Sequence, residues 1–263
     1  MKNSVPGMKS GEVKLHFEVS GSGNRPLICI HGWACNSEQF TELSRRLAKD
    51  FRIFCPDLPG HGQTPLGEFS PDWERYADVI TTFALEHKLE RPVLLGHSMG
   101  GVLSLIAAAS GRFQPRAVIN LDGSLPLSRA TVAGLKLIRS WLEEPDFRQR
   151  LAQSLRTAFF LPTERDAGCE AILRTMGAAP DAVLRFLPEQ VDGLHADRIL
   201  PRVRVPVLYV GSAAPRFDPQ EAMNLVPHLR LEQISDAGHF LHVYAVNQVA
   251  AIVGKFLKPL LSH

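Results

Sequence analysis

The chain has 263 residues, of which 45% are apolar and 21% charged, and its formal net charge is +2. That is enough chain for a sizeable core, at a length that α/β folds reach as one unit, and its scattered Lys and Arg form no basic stripe of the kind nucleic-acid binders carry. No apolar stretch is long enough to span a bilayer, and no apolar run follows Lys2, so no secretory signal is expected and the expected compartment is the cytoplasm. The first strand signal is the alternating stretch Lys14 to Val19, followed by a turn at Gly21-Ser22-Gly23-Asn24. Short apolar runs then recur at Pro26 to Ile30, Phe51 to Cys55, Pro92 to Leu95, Ala117 to Leu121 and Pro206 to Val210, with a last strand signal at Leu229 to Ile234. Runs of this length bounded by Gly or Pro read as buried parallel strands.

Helical patterns lie between them. Glu38 to Leu47 is one; Ser70-Pro71 opens a second, with Ser70 as N-cap and Pro71 as the first helical residue, running to about His87. Met99 to Ala109 is small and apolar enough for a buried helix, and Val243 to Leu257 closes the chain. Strands alternating with helices predict a mostly parallel, doubly wound α/β sheet. From Gly123 to about Leu194 the rhythm changes to helical segments alone, Ala130 to Leu142, Phe147 to Phe159, Arg165 to Thr175 and Asp181 to Phe186, punctuated by prolines at 145, 162, 180 and 188. The expected organisation is a core of residues 1–122 and 195–263 with a helical cap, 123–194, inserted between two core strands. The four cysteines, Cys29, Cys35, Cys55 and Cys169, contain no C-x-x-C pair and are expected as free thiols. Neither they nor the ten histidines show metal-ligand spacing, so no metal or cofactor is expected.

The chemistry-bearing pattern is Gly96-His97-Ser98-Met99-Gly100. G-x-S-x-G alone is weak, but here it follows a predicted strand and opens a predicted helix, the setting of a nucleophile elbow. Ser98 is the expected nucleophile. The Met99 N–H stands at a helix N-terminus, where the dipole favours developing negative charge. A second oxyanion donor is expected from the loop after the earlier strand, His31-Gly32-Trp33-Ala34-Cys35, at the Trp33 N–H. A hydroxyl needs a base. Of the histidines, His239 in Asp236-Ala237-Gly238-His239-Phe240 follows the last strand at the edge that carries Ser98. His31 and His61 are read as pocket lining. Trp33 and Trp141 are the expected substrate-binding side chains, with Phe147, Phe159, Phe160 and Phe186 as further aromatic residues of the cap.

His31-Gly32-Trp33, Asp57-Leu58-Pro59-Gly60-His61-Gly62, the Gly96–Gly101 elbow and Gly238-His239-Phe240 together resemble the α/β-hydrolase superfamily over almost the whole chain. His31 to Phe40 and Asp57 to Gly62 are similar to small-ester hydrolases such as the pimeloyl-carrier-protein methyl ester esterases. The resemblance implies the α/β-hydrolase fold and an orienting acid for the histidine. Most relatives carry an Asp a few residues past the strand that here ends at Gly211, but this chain has Gly211-Ser212-Ala213-Ala214-Pro215, and the nearest carboxylate is Asp218. The superfamily's other acid position follows the strand after the nucleophile helix, and Asp122 stands there. Asp122 is preferred to Asp218 as the orienting acid.

That placement resembles zearalenone lactonases and cofactor-free 3-hydroxy-4-quinolone dioxygenases. In the latter a His–Asp pair deprotonates the substrate hydroxyl and the serine need not be acylated. The cap here is shorter than theirs. The resemblance therefore implies first a serine hydrolase, an esterase or lactonase, acting on a small apolar or aromatic ester or lactone through a Ser98–His239–Asp122 catalytic triad and an oxyanion hole. The alternatives are a dioxygenase using His239 and Asp122, and a non-catalytic ligand-binding relative.

Overall fold

In the computed structural model, residues 14–226 and 228–260 are described. Strand β1 (Phe17–Ser20) leads by a turn into β2 (Arg25–Ile30), then α1 (Thr41–Leu47) and β3 (Phe51–Pro56). There follow α2 (Trp73–Glu86), β4 (Val93–His97), α3 (Met99–Ala109) and β5 (Ala117–Leu121). An all-helical stretch comes next, with α4 (Arg129–Arg139), α5 (Phe147–Phe159), α6 (Ala167–Gly177), α7 (Asp181–Gln190) and α8 (Ala196–Ile199). The chain then returns to the sheet with β6 (Val207–Gly211), α9 (Pro219–Leu225), β7 (Leu229–Gln233), α10 (Leu241–Tyr244) and α11 (Val246–Leu257). The strand order is β1-β3-β2-β4-β5-β6-β7, with β1 antiparallel to β3 and every other pairing parallel.

The alternation of side chains along each strand divides the core in two. Ile28, Ile30, Leu94, Val118 and Tyr209 point to one face, where they pack with Tyr76, Ile80 and Phe83 of α2 and Val102 and Leu105 of α3. Their neighbours Leu27, Cys29, Leu95, Ile119 and Leu208 point to the other, against Leu43 of α1 and Val249, Val253 and Phe256 of α11. Burial on both faces is why the central strands read as continuous apolar runs, whereas edge strand β1, exposed on most of its length, reads as an alternation. All four cysteines are buried free thiols. Among the described residues no helix is long and apolar enough to cross a membrane.

Several element boundaries differ from expectation. Ser70 and Pro71 lie in the loop before α2, and Asp72 is its N-cap, its carboxylate accepting the Glu74 and Arg75 amides at 2.9 and 3.2 Å. An ionised acceptor at a helix N-terminus gains from both the free amides and the dipole. Pro188, expected as a break, is accommodated in the last turn of α7. The closing helix is interrupted at Ala245, and the short helices α8 and α9 had no signal in the apolar pattern. The helices between β5 and β6 stand over the carboxyl ends of β4 and β5, where the candidate site lies.

Candidate active site

Strand β4 ends at His97 and α3 begins at Met99, so the reversal is made by Ser98 alone, at φ 52° and ψ −119°. A side chain at such a backbone costs on the order of 1–3 kcal/mol, and close packing enforces it. A Cβ added at Gly96 would lie 2.1 Å from the Gly100 carbonyl oxygen, and one at Gly100 2.1 Å from that of Ile30. The Ser98 N–H donates to Leu121 O at 2.9 Å and its carbonyl accepts the Gly101 amide at 2.9 Å, which leaves the hydroxyl for chemistry. Met99 opens α3, where a helix leaves its amides without internal partners. The loop after β2 runs beside the elbow: a Cβ on Gly32 would sit 3.4 Å from Ser98 Cβ. Trp33 follows it, and its indole Nε1–H donates to Val183 O of α7 at 2.6 Å, tying the helical insertion to the core.

His239 lies in the loop after β7, with Nδ1 at 2.7 Å from Asp122 Oδ2. Asp122 directly follows β5, at φ 51°. Its N–H donates to Val210 O at 2.9 Å and its Oδ1 accepts the Ser212 amide at 3.1 Å. With Nδ1–H donated to the carboxylate, Nε2 keeps the lone pair a base requires. Asp218 is elsewhere: it is exposed and caps α9, accepting the Glu221 amide at 3.0 Å. Burial pushes Asp122 up to about 7 against the pull of Arg216 and the Ser212 amide. Burial, then the charge of Arg216, then His242 hold His239 well below the ordinary histidine value.

Three supports of this pair escaped the sequence reading, because each comes from a distant segment with no motif of its own. The His239 N–H donates to Phe159 O at 2.7 Å, at the end of α5. The buried Glu164 carboxylate accepts the Gly238 amide at 2.8 Å on Oε1 and the Leu161 amide at 2.8 Å on Oε2. Arg216 places Nε 3.1 Å from His239 Nδ1 and 3.7 Å from Asp122 Oδ2. From below, His97 Nε2–H donates to the His239 carbonyl at 2.9 Å. The histidine loop is thus held largely by the insertion. Glu164→Ala strands two amides, and the expected loss is about 2 kcal/mol, or roughly 4–8 °C in Tm, read by thermal unfolding; an unchanged Tm contradicts this account.

Ser98, Met99, Trp33, His239 and Phe159 line one cavity of about 330 Å³, together with Leu135 and Ile138 of α4, Leu155 of α5 and Trp73 of α2. Arg216 also lines it and, among the described lining residues, carries its one formal charge. Cys35 lines it too, but burial pushes its thiol up to about 12, which leaves no thiolate at neutral pH. Trp141, expected to bind substrate, does not line the cavity; its ring lies under the Arg150 guanidinium, 4.8 Å from the centroid. Phe147, Phe160 and Phe186 are spent in the core. His31 and His61 likewise do not line this cavity. The His31 ring spans two loops, Nδ1–H donating to Gly32 O at 2.9 Å and Nε2 accepting the Leu58 amide at 3.0 Å. His61 packs against it at 4.7 Å between ring centroids.

Residues 27–252 match the model of the alpha/beta hydrolase family. The chain is 35% identical over 116 residues to a Drosophila melanogaster protein named "Probable serine hydrolase", covering 42% of this chain and 35% of that one. It is 31% identical over 172 residues to a pimeloyl-[acyl-carrier protein] methyl ester esterase of Pectobacterium atrosepticum, covering 65% of this chain and 62% of the relative. The matched stretches span less than two thirds of either relative's own length. Among solved structures, an esterase of Thermogutta terrifontis superposes with a TM-score of 0.81 over 96% of both chains at 22% identity, a likeness of fold.

Proposed function

As the chain belongs to the alpha/beta hydrolase family, we propose that it is a serine hydrolase that cleaves a small carboxylic ester or lactone through an acyl-enzyme on Ser98. The observation that carries this reading is the meeting of three strand ends: the strained Ser98 after β4 and His239 after β7 line one cavity, and behind them Asp122 after β5 stands with its carboxylate 2.7 Å from His239 Nδ1. Esterase and serine hydrolase relatives support it.

In this mechanism His239 Nε2 takes the Ser98 hydroxyl proton as Oγ attacks the substrate carbonyl. The Trp33 and Met99 amides hold the oxyanion, a contribution of about 3–4 kcal/mol per donor in such sites. The tetrahedral intermediate collapses, and the imidazolium gives its proton to the leaving alkoxide. Water then attacks the acyl-enzyme, His239 taking its proton and returning it to Ser98 Oγ, and the acid departs. Asp122 orients the imidazole and stabilises its charged form without taking the proton. Residues 123–194 act as the cap, and the apolar wall of Leu135, Ile138, Leu155 and Phe159 favours an apolar acyl or aromatic group of moderate size.

The test is covalent labelling with a fluorophosphonate, followed by peptide mass spectrometry, beside a screen of p-nitrophenyl esters of graded chain length, lactones and 3-hydroxyquinolones. One adduct, on the peptide containing Ser98, is expected together with turnover of esters or lactones. Folded protein that takes no label and cleaves neither class sinks the proposal.

A further inference from the structure

The loop after β6 holds a group that the ester-hydrolase mechanism leaves without a role. Where most relatives were expected to carry an acid, Ala213 and Ala214 stand here, and the side chain that reaches His239 from this loop is the cation of Arg216. Its guanidinium is fixed on several sides. Nη2 donates to the Ala158 carbonyl. The plane lies over the Phe159 ring at 4.4 Å from the centroid. Nε faces His239 Nδ1 at 3.1 Å and Asp122 Oδ2 at 3.7 Å. A planar fork that remains charged when buried makes all these contacts at once, which a lysine ammonium does not.

Nδ1 of a neutral imidazole either donates or accepts. If it accepted from Arg216, the proton would sit on Nε2 and the ring would be no base for Ser98. The distances favour the other arrangement, since Asp122 stands at 2.7 Å and Arg216 at 3.1 Å. The same cation makes the carboxylate a better acceptor by keeping it ionised. It also opposes a second positive charge on the ring beside it.

We propose that Arg216 is a positioning residue that favours ionised Asp122 and neutral His239, so that the pair acts as a base at lower pH than it would without the cation. This rests on the reading of His239 as the base. Burial raises Asp122 and lowers His239, while Arg216 lowers both, and the balance leaves Asp122 at about 7. The other titratable groups near His239 are His97 at the end of β4, 4.6 Å between ring centroids, and His242 of α10, which acts on it electrostatically. Glu164 is engaged with the Gly238 amide. None of these is a cation in contact with Nδ1. The sign follows directly: without the Arg216 charge both groups bind protons more readily, and the acidic limb of the activity profile moves to higher pH.

The experiment compares the full-length wild type with Arg216→Met, Arg216→Gln and Arg216→Lys, following the rate of fluorophosphonate labelling against pH. The His239 ring titration is followed in parallel by NMR, its signal assigned by its loss in His239→Gln. The uncharged variants are expected to shift both midpoints up by about one pH unit or more, giving roughly tenfold slower labelling on the acidic limb and little change above it. Arg216→Lys, which keeps the charge, is expected to bring both midpoints most of the way back to the wild-type values. A uniform loss of labelling rate with unmoved midpoints, or a lysine variant that behaves like the methionine one, overturns the proposal. Wild type that takes no label while the His239 titration shifts as stated overturns the hydrolase reading and leaves the role of Arg216 standing; label without a shift does the reverse. Should Arg216→Met not fold, Arg216→Gln carries the same comparison.

Discussion

Ser98→Ala is expected to lower ester or lactone turnover by about 10⁴–10⁶-fold and to abolish fluorophosphonate labelling, with Tm nearly unchanged. The hydroxyl is the one group of Ser98 not committed to the elbow, since its N–H and carbonyl are bonded to Leu121 and Gly101. Alanine meets the same backbone with one atom fewer, so neither the turn nor the packing of Gly96 on Gly100 is disturbed. What remains in the variant is the cavity and the oxyanion donors, which give a small residual rate. The result that overturns acylation is retained turnover in Ser98→Ala together with its loss in His239→Ala. Oxygen uptake with a 3-hydroxyquinolone would then assign the His239–Asp122 pair to deprotonation of a substrate hydroxyl.

Asp122→Asn is expected to lower kcat by about 10⁴-fold with the fold intact, while Asp218→Asn leaves kcat within about twofold. In the first variant the side-chain oxygen still accepts the Ser212 amide, but the group facing His239 Nδ1 is now a donor. The imidazole turns to the tautomer with its proton on Nε2 and loses the lone pair aimed at Ser98. In the second, Asn replaces Asp at the N-cap of α9, and the two residues cap about equally well. Loss of turnover in Asp218→Asn alone would show that the acid had been assigned to the wrong loop.

The elbow was legible because its residues are local: Gly96, Ser98, Gly100 and Gly101 are neighbours in the chain, although the atoms that a Cβ at Gly100 or Gly101 would meet, Ile30 O and Asn120 Oδ1, belong to β2 and β5. The central strands were legible for a similar reason: burial on both faces leaves an apolar run that no other local arrangement explains. Helix boundaries were less so. Asp72 outcompeted Ser70-Pro71 as the start of α2 through charge, which an apolar pattern does not register. Trp141 misled because the sequence pattern runs its helix to Leu142, whereas α4 ends at Arg139 and Trp141 stands in the turn beyond it, under the Arg150 guanidinium.

The sequence by itself determined the alternation of strand and helix, the parallel sheet, the helical stretch between β5 and β6, and the presence of Ser98 and His239 on the same sheet edge. These follow from periodicity and turn chemistry, which act over a few residues. The sequence preferred Asp122 to Asp218 only through a resemblance; the contact itself is made by tertiary structure, because Asp122 and His239 are 117 positions apart and meet only where β5, β6 and β7 pair side by side. The same adjacency brings Arg216 from the β6 loop and Glu164 from the insertion to that histidine. A residue's neighbours across a parallel sheet depend on strand order, and strand order is a property of the whole core.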